Sequence, residues 1–145
     1  MKHPLRRVLR LRALLEEQSQ LELTRRNAEL RRLETMAAEL RKKARAVRGD
    51  VLRQLAFGAA DWLLEIADAE ILGWKSSRVR SQAESQRPDV EAARSALLER
   101  RVERRQVEVL VTEGAMAEAL DEARREQKRI DDWFQSRAAR EKSGR

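Results

Sequence analysis

The sequence predicts an all-α protein, an antiparallel two-helix coiled coil folded as one long α-helical hairpin. Three observations predict it. Charged residues make up 39% of the chain and aromatic residues only 3%, which does not suit an ordinary compact core. Hydrophobic residues still account for 41% and recur at helical spacing, so the chain does not read as disordered. Strand signals are absent: there is no alternating β-branched run and no Asn-Gly or Asp-Gly turn.

A first arm is expected over residues 4–73. Leu33, Ala37, Leu40, Ala44, Val47 and Val51 alternate steps of four and three, the spacing of a coiled-coil seam. The seam continues through Leu55, Ala59, Trp62, Ile66 and Ala69, with a stutter near 55–59. Gly49 and Gly58 fall inside this run, and local bending is expected there because glycine is a poor helix former.

The stretch "GWKSSRVRSQAESQRPDV" (73–90) collects Gly73, four serines and Pro88, and is expected to hold the turn. Pro88 followed by Asp89 and Glu91 resembles the first turn of a helix. A second arm is therefore expected over 88–140. Its stripe is Val102, Val109, Met116, Ala123 and Ile130, one heptad apart, with Leu98, Leu120 and Phe134 filling the adjoining positions. Residues 1–145 read as a single elongated hairpin, and a turn near 73–77 gives arms of roughly 100 Å at ~1.5 Å per residue.

Composition excludes several classes of function. No cysteine is present, so neither disulfides nor thiolate metal sites are available. The one histidine, His3, lies at the terminus, and no phosphate-binding or nucleophile-elbow motif occurs, so no enzyme, cofactor or metal is expected. The apolar run at 55–74 is long enough to span a bilayer but carries Asp61, Glu65, Asp68 and Glu70, so no transmembrane segment is expected. The start has no continuous apolar stretch of the kind a secretory signal needs, and a cytoplasmic protein is expected.

Charge is uneven. Residues 1–53 hold 15 Lys/Arg against 7 Asp/Glu, whereas 54–74 hold 4 Asp/Glu and no base. Arginine doublets such as Arg25–Arg26 and Arg104–Arg105 could track phosphates, but many are interleaved with glutamates, as the flanks of a coiled coil are, and no nucleic-acid partner is expected. Phe57, Trp62, Ile71 and Trp74 lie in or beside the acidic apolar segment. They read either as seam packing or as a docking patch at the hairpin tip.

The ends of the chain carry a resemblance. "PLRRVLRLRALLEEQSQLEL" (4–23) resembles the opening helix of the FliJ family of flagellar export proteins, and "ARSALLERRVERRQVEVL" (93–110) with "EARREQKRIDDWF" (122–134) resembles its second helix. The resemblance implies a component of the flagellar type III export apparatus, cytoplasmic and peripheral at the inner face of the membrane. It implies a stalk that inserts into the hexameric export ATPase, couples it to the cytoplasmic domain of the export-gate membrane protein, and handles export chaperones.

On that reading the terminal end with Arg6, Arg7, Arg10, Lys128 and Arg129 is the candidate ATPase contact, and Phe57, Trp62, Ile71 and Trp74 the candidate gate contact. Trp133 and Phe134 are expected opposite Leu5, Val8 and Leu9, closing the open end of the hairpin. The alternatives are an injectisome stalk, a general coiled-coil scaffold, and a basic nucleic-acid-binding coiled coil.

Overall fold

A computed structural model describes residues 2–53 and 58–144. It contains two helices, α1 (Lys2–Arg53) and α2 (Ala59–Ser143), packed against each other as an all-α hairpin with no strand among the described residues. The helices contact in two units, one of Leu15–Arg100 and one of Met1–Leu14 with Arg101–Arg145.

Within Leu15–Arg100 the helices run antiparallel: Arg26 pairs with Asp89 at 3.5 Å, Arg87 with Glu34 at 3.4 Å, and the Ser76 hydroxyl donates to the Ala37 carbonyl at 2.9 Å. The seam of α1 is Leu23, Leu30, Leu33, Ala37, Leu40, Ala44, Val47 and Val51, each buried or half-buried. The heptad read from residues 33–51 is therefore the packed face. Opposite it, α2 presents Ala69, Leu72, Ser76, Val79, Ala83, Gln86, Val90, Ala93 and Leu97, again in alternating steps of three and four.

The chain reverses between Arg53 and Ala59, not within 73–90. Residues 73–90 are continuous helix, and Pro88 sits inside α2 rather than at its start. Gly58 supplies the carbonyl that accepts from the amides of Asp61 and Trp62, at 3.1 and 3.3 Å, and so opens α2. Gly49 is inside α1, which runs unbroken to Arg53. Leu55 and Phe57 lie outside the described residues.

The small residues of 73–90 do something other than turn the chain. Ser76 is 4% exposed and its hydroxyl reaches a backbone carbonyl of the other helix, which requires the two backbones to lie close. Alanines at 37, 44, 69 and 83 fill the same seam. Ser76→Ala should keep this approach and lose only the hydrogen bond, because the Ala37 carbonyl also lies inside the α1 ladder. The expected loss is about 1 kcal/mol in urea unfolding followed by circular dichroism.

The second stripe read from the sequence is also corrected. Val102, Val109 and Met116 are 56%, 47% and 64% exposed and point away from α1, and Ile130, at 44%, lies where α2 has outrun it. In the unit of Met1–Leu14 with Arg101–Arg145, the half-buried residues of α2 are instead Glu103, Arg104, Val107, Glu108, Val111 and Glu118. Opposite them Arg12 pairs with Glu103 at 2.7 Å. α2 thus carries apolar side chains on two opposite faces, and the sequence reading took the outer one.

Candidate functional site

At the beginning of α2 the same two-faced pattern is most pronounced. Ile66, Ala69 and Leu72 face inward, with Ala69 only 1% exposed. Leu63, Ala67, Ile71 and Trp74 follow steps of four, four and three, which places them on one side of the helix, with Leu64 at its margin. All are exposed: Leu63 60%, Leu64 67%, Ile71 51% and Trp74 84%. Asp61, Asp68 and Glu70 are exposed alongside, and residues 58–74 contain no base to offset them.

Of the residues expected at the tip, the structure brings Ile71 and Trp74 onto this outward face. Trp62 lies toward the seam side with Ile66 and Ala69, at 39% exposure, and Phe57 lies outside the described residues. Leu63 and Leu64 were missed by sequence reasoning. The signal was present in the 63–67–71–74 spacing, but those leucines fall inside the most apolar run, where every residue looks equally buried.

The terminal set is rearranged. Leu5 and Arg6 line a groove with Leu110, Val111, Gly114, Ala115 and Glu118. Arg7 and Arg10 are exposed nearby on α1. Lys128 and Arg129 lie ten and more residues further along α2, about 15 Å beyond Glu118 at ~1.5 Å per residue, so the five bases do not form one cluster.

The expected closure of the hairpin end is not formed. With the reversal between Arg53 and Ala59, Leu5 and Arg6 meet residues 110–118 instead, and Trp133 and Phe134 lie some 15 residues further along α2 and are exposed. These two rings pack on each other instead, edge to face with centroids 5.0 Å apart, and the Arg137 guanidinium lies 5.3 Å from the Trp133 ring centre. Trp133 is 55% and Phe134 59% exposed. Leu5 and Val8 are also exposed, at 42% and 39%, and Leu9 is half-buried. Every residue from 119 to 144 is exposed, so α2 outruns α1 and ends as a single helix.

The resolved electrostatic shifts belong to surface ion pairs. Partial desolvation pulls the Glu22 carboxyl upward, but hydrogen bonds and charge from Arg26 and Arg25 outweigh it and hold the group below the usual carboxylate range. Arg32 lowers Glu29 in the same way through a bidentate contact at 2.7 and 3.0 Å. Among the described residues no cluster of three or more His, Asp or Glu is placed to hold a metal ion, and no helix is long and apolar enough to cross a membrane. Comparison with known proteins adds no relative: no protein-family model, no curated protein and no solved structure matches this chain.

Proposed function

We propose that the chain is a helical stalk of the flagellar type III export apparatus, engaging the hexameric export ATPase with its terminal end and the export gate with the tip of the hairpin. Two things support this reading. The sequence at both ends resembles the FliJ family, and the fold is the antiparallel helical hairpin that such a stalk requires. The observation that carries it furthest is the unequal length of the helices. α2 continues from 119 to Ser143 with every residue exposed and with acids and bases interleaved. A single helix of mixed charge can enter a ring of subunits without locking to one of them, because such exposed charges give steering and register rather than strong affinity.

The ATPase contact then comprises Arg6, Arg7 and Arg10 on α1, with Lys128 and Arg129 on the projecting part of α2. The gate contact comprises Ile71 and Trp74, joined by Leu63 and Leu64, whose apolar surface is rimmed by carboxylates. Export chaperones are further partners on this reading, and the chain works in the cytoplasm against the inner face of the membrane.

The test is ATP hydrolysis by the export ATPase of the same organism with and without this chain at matched salt. Stimulation together with ring assembly is expected. Reversing Arg6, Arg7 and Arg10 to Glu should raise the concentration needed for half-maximal stimulation about tenfold and flatten its salt dependence. A folded wild-type chain that leaves turnover and assembly unchanged would overturn the reading.

A further inference from the structure

The outer face of α2 carries Val102, Val109, Met116, Leu120, Ile130 and Phe134, from 44% to 64% exposed. It lies opposite the seam side marked by Val107 and Val111, so α1 does not cover it. From residue 119 on, every residue of α2 is exposed. An apolar stripe repeating by heptads is the surface that another helix packs against.

We propose that, away from any ring, a second copy of this chain covers the part of it from Met116 to Trp133, the two α2 helices pairing antiparallel about a two-fold axis near residues 124–125, so that entry of the projecting helix into a ring requires the pair to separate. The order of charges decides the direction. A parallel, in-register pair would set Arg105 against Arg105 and Glu126 against Glu126 across the seam, with like charges facing in both layers. An antiparallel pair removes both clashes.

One antiparallel register also satisfies the flanks. With Ala119 opposite Ile130 of the other copy, Met116 meets Trp133 and Ala123 meets Glu126, whose methylenes cover the small alanine while the carboxylate reaches water. Glu122 then lies beside Arg129 of the other copy, and the two-fold axis repeats every one of these contacts. Within the chain, Glu122 and Arg129 have no ion-pair partner among the described residues, so each is available. Sliding by one heptad in one direction brings Arg129 beside Arg129, and in the other direction Glu122 beside Glu122. The charges therefore select a single register.

Sedimentation equilibrium of the full chain tests this. The expected result is a species of twice 16.9 kDa at high micromolar concentration that dissociates on dilution. Glu122→Arg should raise the dimer dissociation constant about tenfold, and adding Arg129→Glu should restore it, since the swap recreates the pair with opposite signs. Helicity should be unchanged in all variants, because both positions lie where α2 has no contact with α1.

The chain contains no native cysteine, so single labels report the direction. Ser136→Cys places two spin labels about 35 Å apart along the axis in the antiparallel pair at ~1.5 Å per residue, but side by side in a parallel one. A chain that stays monomeric at all concentrations overturns the proposal. So does a dimer unaffected by Glu122→Arg, or one that the double swap fails to restore.

Discussion

Leu97→Ala should lower the stability of the hairpin by about 2–4 kcal/mol, while the same change at its neighbour Leu98 should stay within about 0.5 kcal/mol. Leu97 is 4% exposed and belongs to the cluster of Leu23, Val90 and Ala93, with Leu30 packed against it. Leu98 points the other way at 55% exposure. Among the described residues, five of the ten buried hydrophobic ones are alanines, and no large side chain is fully enclosed. With so few bulky groups in the seam, each leucine carries a large share of the apolar burial, and a two-helix layer has no third element that could move in to fill the cavity. Urea unfolding of both variants, followed by circular dichroism at 222 nm, separates the two faces directly. Equal losses at 97 and 98 would mean that α2 is rotated from the orientation described here.

The same pair of residues shows what the sequence could and could not disclose. The seam of α1 was legible because only one of its faces is consistently apolar between Leu33 and Val51. On α2 two stripes compete, and the one that packs is the less hydrophobic. It carries Ser76, Gln86, Arg100 and Arg104 among its alanines and valines, whereas the outer stripe carries Val102, Val109, Met116 and Ile130. Residue hydrophobicity points to the wrong face when a helix uses small residues to approach its partner closely and reserves larger ones for another surface.

The turn was misplaced for the same reason. Gly73, Ser76 and Ser77 read as chain reversal, yet Ser76 is buried in the helix contact and hydrogen-bonds across it. The true reversal follows Arg53 and is embedded in an apolar run, where only Gly58 marks it. That displacement shifted every cross-helix partner and undid the expected closure at Trp133 and Phe134. At the tip, the chemistry of the patch was legible from its four carboxylates and absent bases. Which apolar residues share its outward face depended on the helix phase, so Ile71 and Trp74 were found while Leu63 and Leu64 were not.

Pro88→Ala should stabilise the chain by about 2 kcal/mol, an effect opposite in sign to that of Leu97→Ala. The reasoning begins with the backbone. Proline has no amide hydrogen, so inside α2 it leaves the carbonyl of Glu84 without its helical donor, and its ring crowds the same carbonyl. Relative to alanine that amounts to roughly 3 kcal/mol in a helix interior, reduced by about 0.4–1 kcal/mol because proline also restricts the unfolded chain. Both Glu84 and Pro88 face solvent, so water can take the freed carbonyl and the substitution removes no packing. The neighbouring Ser85 hydroxyl is already engaged with the Gln82 carbonyl at 2.7 Å and cannot compensate. Urea unfolding and hydrogen exchange across 84–92 measure the outcome. A gain in stability with slower exchange on both sides of residue 88 is the behaviour of a proline within a continuous helix. A neutral or destabilising result would instead mean that Pro88 opens a helix, where its missing donor costs nothing, and would return the chain reversal to the segment just before it.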